Sequence, residues 1–193
     1  MIVVNGCPKS GCHAVMALLD TVGLKRCPGT IIPMGDGVYV EGLPVMSTVG
    51  LRTLPDNVYV LAHVPAQYSL GGFRVITVFR DPRNVLVSYC RHRKRDDALD
   101  VGVPQALENF WGQSFVELYA GFLGWRGRSV VMRYEDMPAE VIGDGAGIYA
   151  NHDQDWNTRT DAPSDWRDVW SDVAEEAWIA HGGPALLAQA GYS

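Results

Sequence analysis

The stretch NGCPKSGCHAV, residues 5–15, joins the first apolar segment of the chain to a segment with helical periodicity. The opening MIVVNG predicts a short buried strand, and apolar residues then recur at helical spacing at Val15, Leu18, Leu19 and Val22. A glycine-bracketed loop between a strand and a helix presents backbone N–H groups at the positive end of the helix dipole. Lys9 adds a full positive charge inside that loop. The stretch therefore predicts a binding site for phosphate or sulfate.

The loop differs from the Walker A motif, in which a lysine and a hydroxyl residue follow the second glycine. Gly6 and Gly11 have the separation that this motif requires. Cys12 and His13 follow the second glycine, however, so the hydroxyl that would hold magnesium is missing. Lys9 lies inside the loop instead. The pattern favours anion binding without the usual metal, and a magnesium-dependent P-loop kinase or nucleotide hydrolase is the less favoured alternative.

Strands and helices alternate along the rest of the chain. The predicted strands are VYVEG (38–42), NVYVLAH (57–63), FRVITVF (73–79) and SVVMRY (129–134). A helix is predicted from Asp81, which suits an N-cap, and Pro82, which suits the first helical position. Two more helices are predicted over 171–183 and 184–192. The alternation predicts an α/β fold with a parallel sheet covered on both faces, with ligands beyond the carboxyl ends of the strands.

Three other segments complete the prediction. A long helix is predicted from about Pro104, with a buried apolar stripe at Leu107, Phe110, Trp111, Phe115, Leu118 and Phe122. Residues 27–37 and 143–165 lack periodicity and are rich in turn-forming residues, so both are predicted as loops. Glu135 and Asp136 are predicted to cap a helix, with a role as active-site acids as the alternative.

The composition is that of an ordinary globular protein, and 193 residues suffice for one domain, 1–193. The net charge of −6 makes nonspecific binding to nucleic acid a poor expectation. No apolar run approaches the roughly 20 residues of a membrane span. Lys9 and Asp20 interrupt the first apolar segment, so no signal peptide is predicted either. The expected location is the cytoplasm, where the four cysteines would stay reduced.

Two more residues follow predicted strands and carry useful chemistry. Arg80 opens RDPRNVLVS (80–88), and Ser88 lies two turns into the helix after it. A guanidinium group suits phosphate, although an arginine taken alone is more often a salt-bridge partner. His63 ends the second predicted strand, and its ordinary pKa near 6.5 suits proton transfer at neutral pH. A structural histidine at a strand end is the alternative interpretation of His63.

Together these motifs resemble the cytosolic sulfotransferase family, whose members transfer a sulfuryl group from 3′-phosphoadenosine-5′-phosphosulfate (PAPS). The matching stretches are PKSG (8–11), YVLAHVPAQ (59–67), RDPRNVLVSY (80–89), VVMRYEDM (130–137) and TRTDAPSDWR (158–167). They occur in the family's order from one end of the chain to the other. The resemblance implies a single-domain parallel sheet flanked by helices, a three-layer sandwich like that of the P-loop NTPases.

The resemblance also implies roles for individual residues. The first loop would hold the 5′-phosphosulfate through Lys9, Ser10, Gly11, Cys12 and His13. The nucleotide's 3′-phosphate would be bound by Arg80, Ser88 and Arg159, and Tyr134 would lie near the adenine.

In the implied reaction, His63 is the catalytic base and takes the proton of an acceptor hydroxyl or amine. Lys9 stabilises charge on the departing phosphate oxygen, so no metal is needed.

The chain departs from the family pattern at several of these positions. Cys12, His13 and Ala14 stand where the family commonly has two threonines and a tryptophan. A lysine that usually precedes the catalytic histidine by two residues is replaced by Leu61. After the late arginine, Thr160 and Asp161 replace a lysine-glycine pair. A noncatalytic module that binds the nucleotide without turnover is therefore a second alternative.

The chain is also shorter than most members of the family, largely between Asp136 and Arg159 and in loops that usually shape the acceptor pocket. The expected acceptor site is open. Such a site suits a saccharide, a peptide or another extended acceptor better than an enclosed small phenol.

Overall fold

The computed structural model describes residues 1–35, 37–41, 55–92, 99–138 and 165–193. The strands are β1 (Ile2–Gly6), β2 (Lys25–Met34), β3 (Gly37–Glu41), β4 (Val58–Ala62), β5 (Arg74–Phe79) and β6 (Val130–Arg133). The α-helices are α1 (Cys12–Thr21), α2 (Pro82–His92), α3 (Leu99–Glu108), α4 (Phe115–Leu123), α5 (Asp172–Ala180) and α6 (Gly183–Ala190). Short 3-10 turns cover Tyr134–Asp136 and Trp166–Asp168.

The six strands form one sheet in the order β3-β2-β4-β1-β5-β6. All neighbouring pairs are parallel except β2 with β3. The strand β1 is central, with β4 on one side and β5 on the other. The carboxyl ends of these three strands therefore lie together, at the place where ligands bind in open α/β sheets.

Side chains alternate between the two faces of the sheet, which explains the two layers of helices. Val3 and Val60 face a core that contains residues from α2 to α6. Val4 and Leu61, one position further along each strand, face a second core built on α1. The predicted α/β fold, a mostly parallel sheet flanked by helices, is confirmed.

Residues 27–37 were predicted as a loop, and this prediction was wrong. They lie largely in β2, which pairs with β3 from Thr30 to Met34. The pairing of β2 with β4 is irregular between Arg26 and Thr30, and Pro28 and Gly29 lie inside that irregularity. The turn-forming residues thus mark a bulge within a strand, because pairing on both sides outweighs local composition.

The single long helix predicted from Pro104 was also wrong. Pro104 lies inside α3, and α4 begins at Phe115. Between them the chain turns tightly, with an isolated antiparallel bridge from Phe110 to Gln113. Most of the predicted apolar stripe is buried, but Trp111 is not, because it lies in this turn and is 49% exposed.

The other predicted strands and helices that the structure describes are found close to their expected positions. Asp81 caps α2, since its Oδ1 accepts a hydrogen bond from the Arg83 backbone N–H at 2.8 Å. All four cysteines are buried. In the described ranges, no helix is both long and apolar enough to cross a membrane. Of the predicted loop at 143–165, residues 143–164, with Arg159 among them, lie outside the described residues.

Candidate active site

The candidate site lies at the carboxyl edge of the sheet, where β1, β4 and β5 end side by side. The glycine-bracketed loop follows β1, His63 follows β4, and Arg80 follows β5. Residues more than 70 positions apart in sequence thereby come into contact, since Arg80 Nη1 donates to the Lys9 backbone oxygen at 3.4 Å.

The loop from Cys7 to Gly11 is held in a tight conformation. The Ser10 backbone N–H donates to the Cys7 oxygen at 3.0 Å, and Lys9 takes a positive φ of 73°. Gly6 has no room for a side chain, because a Cβ there would lie 2.4 Å from Ser10 Oγ. Gly11 has a φ of 98° at the start of α1. The loop thus leads into a helix N-terminus whose first N–H groups suit an anion.

His63 is oriented by the neighbouring strand. Its Nδ1 lies 2.8 Å from the backbone oxygen of Gly6. A carbonyl oxygen only accepts hydrogen bonds, so Nδ1 carries the proton and Nε2 is left as the basic nitrogen. Burial lowers the pKa of His63 to about 4, and the charge of Lys9 lowers it further, against the opposing effect of the Gly6 contact. The ring is therefore neutral at neutral pH and able to accept a proton.

Asn5 fixes the backbone beside His63. Its Nδ2 donates to the Val64 oxygen at 3.0 Å, and its Oδ1 accepts from the Val64 N–H at 2.9 Å. The Val64 oxygen also accepts from Trp125 Nε1 at 2.7 Å. Asn5 is fully buried, so these bonds tie the end of β1 to the residue after His63.

Arg80 is a buried cation, only 7% exposed. Its guanidinium carbon lies 4.3 Å from the centre of the Tyr134 ring, and burial lowers its pKa. Its Nε is buried and has no hydrogen-bond partner among the described residues. A buried guanidinium N–H without a partner is costly, and an anion beside it would satisfy it.

The backbone around Arg80 is fixed from two sides. The Tyr119 hydroxyl donates to the Arg80 oxygen, and the next N–H, that of Asp81, donates to Glu135 Oε1 at 2.8 Å. Glu135 Oε2 accepts from the Tyr192 hydroxyl at 2.9 Å. Glu135, which follows the neighbouring strand β6, thus binds the N–H of Asp81 at the start of α2 rather than capping the short helix that it was predicted to open.

Tyr134 covers the start of α1. A Cβ on Gly11 would lie 2.1 Å from a ring carbon of Tyr134, so the ring is in close contact with the glycine. Burial raises the pKa of Tyr134, and the neighbouring Arg80 opposes this effect. The ring therefore lies between the glycine-bracketed loop and the buried arginine.

The first loop is surrounded by other basic groups. Burial, and secondarily the charge of Arg80, lowers the pKa of Lys9 to about 8. Burial lowers the pKa of His13 to about 3, with further contributions from His63, Arg26 and Lys9. At neutral pH the two histidines are uncharged, and a bound anion would offset the repulsion between the charges of Lys9 and Arg80.

Ser88 and the late arginine segment are only partly described. Ser88 is half-buried on α2, and no described contact joins it to Lys9, His63 or Arg80. One turn earlier on α2, Asn84 Oδ1 accepts from the Trp166 backbone N–H at 2.8 Å. The segment after residue 164 thus returns to the helix that carries Ser88, whereas Arg159 lies outside the described residues.

The neighbouring Arg83 has a structural role. It pairs with Asp81 at 2.8 Å and donates to the Ser193 oxygen at 3.0 Å. Its guanidinium carbon also lies 3.8 Å from the centre of the Trp166 ring. The Arg83 guanidinium is therefore held by protein partners, whereas the buried Nε of Arg80 has none among the described residues.

Sequence reasoning missed two residues of this site. Asn5 is the polar residue of an otherwise apolar strand, and this contrast was a usable signal. Arg26 directly precedes the segment that was predicted as a loop, so nothing in the sequence indicated that it belongs to the site. Its position beside His13 depends on the pairing of β2 with β4. Its Nε is buried and, within the described ranges, has no hydrogen-bond partner.

No cluster of three or more His, Cys, Asp or Glu side chains suited to a metal occurs in the described part of the chain.

Comparison with known proteins supports the fold rather than a sequence family. No family model matches the chain, and no curated protein matches its sequence. Among solved structures, the crystal structure of mouse sulfotransferase SULT7A1 complexed with PAP matches with a TM-score of 0.61 and 14% identity. The match covers 100% of this chain and 88% of that chain. The chain therefore has the sulfotransferase fold.

Proposed function

We propose that the chain is a PAPS-dependent sulfotransferase that transfers a sulfuryl group to a hydroxyl or amine acceptor. The observation that carries the proposal is the contact between His63 Nδ1 and the Gly6 oxygen. This contact leaves Nε2 as a neutral base directly beside an anion-binding loop that contains Lys9. The fold shared with a sulfotransferase crystallised with PAP, adenosine 3′,5′-bisphosphate, supports the same conclusion.

The donor nucleotide would be held by the residues that the motifs indicated. The loop N–H groups from Ser10 to His13 and the Lys9 ammonium group would bind the 5′-phosphosulfate. The unpartnered Nε of Arg80 fits a 3′-phosphate, as does its buried positive charge. Ser88 and Arg159 would complete that site. Tyr134, between the loop and Arg80, would contact the nucleotide.

Transfer would be an in-line displacement in which positioning and charge stabilisation dominate. PAPS supplies an activated sulfuryl group, whose bond to the 5′-phosphate oxygen breaks as the acceptor attacks the sulfur. Nε2 of His63 takes the acceptor proton. The Lys9 ammonium group stabilises charge on the departing phosphate oxygen, in the role that a metal ion fills elsewhere. A bound anion would raise the pKa of His63 and make it a better base.

The proposal includes a cytoplasmic location and a single domain over residues 1–193. The four cysteines are buried, and Cys7, Cys12 and Cys27 form no disulfide, which fits a reducing compartment. Acceptor candidates are small molecules, saccharides and peptides, and nucleic acid is not among them.

The first test is thermal stability with three ligands: PAP, adenosine 5′-phosphate, and ATP with magnesium. A ligand at 100 times its Kd stabilises the native state by about 2.7 kcal/mol, roughly 5–10 °C in Tm for a chain of this size. The proposal expects PAP to raise the Tm by the same amount with and without magnesium. A shift with magnesium-ATP alone would instead support the P-loop kinase.

The second test is turnover of PAPS with His63→Ala and, as a matched control, His181→Ala. His181 is the C-cap of α5, and no contact among the described residues joins it to Lys9, His63 or Arg80. The proposal expects His63→Ala to abolish turnover and keep PAP binding, while the control retains both. Wild-type protein that binds PAP but transfers sulfate to no acceptor would identify the noncatalytic module.

A further inference from the structure

Trp111 lies directly beside the proposed catalytic base. The ring centroids of Trp111 and His63 are 5.7 Å apart with an angle of 82° between the planes, so the rings meet edge to face. Trp111 is 49% exposed, although most of the apolar residues predicted on the same stripe are buried. The contact with His63 thus leaves a large part of the indole exposed, so it can contact another molecule.

The backbone of Trp111 is held in an unfavourable conformation. Its φ is +55°, in the left-handed region that a bulky side chain rarely adopts. The turn is fixed from both sides, because Asn109 Oδ1 accepts from the Gly112 N–H at 2.8 Å and Phe110 bridges to Gln113. Such strain persists where the surrounding structure enforces it, and it concentrates at binding and catalytic sites.

The surroundings of Trp111 are exposed and polar. Glu108, Asn109, Gly112 and Gln113 are all exposed, and three of them carry side chains that form hydrogen bonds. An enclosed phenol pocket would instead be lined by apolar side chains. An exposed indole in a turn of exposed polar residues suits a ring with one apolar face and several hydroxyls, because the polarised C–H groups of such a ring pack on the negative π face.

We propose that Trp111 is the acceptor platform of this enzyme and that the acceptor is a saccharide, one of whose hydroxyls is presented to His63. This inference rests on the proposed sulfotransferase function and names the substrate class of the same site. Stacking on Trp111 would position the sugar ring, and the exposed polar groups of the turn would bind its other hydroxyls.

The test measures PAP formation from PAPS with three kinds of acceptor: disaccharides (chitobiose, cellobiose, lactose), 2-naphthol and a tyrosine-containing hexapeptide. The variants are Trp111→Ala, Trp111→Phe and Trp111→Asn, with Tyr39→Ala as the control, an exposed aromatic residue on β3. Binding of each disaccharide to the PAP complex is measured in parallel by isothermal titration. Tm is recorded for every variant.

The proposal expects turnover of a disaccharide, with a KM that Trp111→Ala raises by about tenfold or more and Trp111→Phe raises less. The Kd for PAP stays unchanged, and the Tyr39 control behaves as wild type. Because asparagine tolerates a positive φ, Trp111→Asn should keep the Tm or raise it while losing acceptor binding.

Three results would overturn the proposal and leave sulfotransferase activity standing. The first is turnover of 2-naphthol or of the peptide while no disaccharide is turned over. The second is a KM for the disaccharide that Trp111→Ala leaves unchanged, and the third is a Trp111→Ala variant in which only kcat falls. Bound PAP with no binding of any disaccharide also overturns it. Failure of wild-type protein to bind PAP at all would overturn the proposed function itself.

Discussion

Nδ1 of His63 and the backbone oxygen of Gly6 are 2.8 Å apart, which joins the residue after β4 to the last residue of β1. The contact sets the tautomer of the histidine and places it beside the loop that contains Lys9. The proposed base and the proposed anion-binding loop are thereby coupled through one hydrogen bond. The predictions below follow from this contact and from those that support it.

The pH dependence of turnover should show two limbs. His63 must be neutral to act as a base, so kcat/KM should be lost as pH falls through about 4, the pKa of this residue in the free protein. Lys9 must be charged, so kcat/KM should also fall as pH rises through about 8. In kcat both limbs should move to higher pH, since the bound anion raises both pKa values.

These limbs are checked by steady-state kinetics across the pH range, with a return to neutral pH that excludes irreversible inactivation. Lys9→Arg should remove the alkaline limb, because arginine stays charged. An acid limb of kcat/KM near 6.5, the ordinary histidine value, would contradict the burial of His63.

Stability should also depend on pH through two histidines. The pKa values of His13 and His63 are lowered to about 3 and about 4 in the folded chain. Between about pH 4 and pH 6.5 the unfolded chain therefore binds more protons at these residues, so the free energy of unfolding rises with pH. Urea unfolding at several pH values checks this slope, and His13→Gln should make it shallower. An identical slope in that variant would show that His13 does not contribute.

Asn5→Ala should impair both folding and catalysis. The change leaves the buried N–H of Val64 without its partner and removes one of two donors to the Val64 oxygen. A loss of roughly 2–3 kcal/mol in the free energy of unfolding is expected. With His63 less firmly held, kcat should fall while the Kd for PAP stays close to that of wild type.

Chemical unfolding and PAP titration measure the two effects of this change, with Asn57→Ala as an exposed control. Equal loss of kcat and PAP affinity would show that Asn5 supports the whole site rather than His63.

Arg80→Ala should weaken binding of PAP far more than binding of adenosine 5′-phosphate, because only PAP carries the 3′-phosphate. The expected ratio is about tenfold or more, as for a charged hydrogen bond. Calorimetric titration of both nucleotides measures it, with Arg74→Ala as an exposed arginine control at the start of β5, the strand that Arg80 follows. Similar losses for both nucleotides would remove Arg80 from the 3′-phosphate site.

Gly11→Ala should disrupt the nucleotide site through Tyr134. Alanine at a φ of 98° is strained by about 1–2 kcal/mol, and its Cβ would overlap the Tyr134 ring. Gly23→Ala is a matched control, since Gly23 has a φ of 82° and open space around it. Both variants should lose stability, but only Gly11→Ala should lose PAP affinity as well. Equal PAP affinity in the two variants would exclude a role for the ring contact.

Much of the fold could be predicted from the sequence because its signals are local. The apolar run before Gly6, the capping pair Asp81 and Pro82, and the β-branched strand β5 each act over a few residues. The prediction failed where pairing at a distance decided the outcome. Residues 27–34 form a bulged strand because they pair with β3 on one side and β4 on the other. Trp111 lies in a turn rather than in the predicted helix because Asn109 and Gly112 close that turn.

The sequence by itself determined which residue types follow each strand: a lysine loop after β1, a histidine after β4 and an arginine after β5. Only the tertiary structure decided their relations. The order of the strands makes β4 and β5 the two neighbours of β1, so that Gly6 orients His63 and Lys9 meets Arg80. Burial, which depends on all the packed layers together, then lowers the pKa values of Lys9 and His63. Contacts and desolvation of this kind join residues far apart in the chain, so no local pattern specifies them.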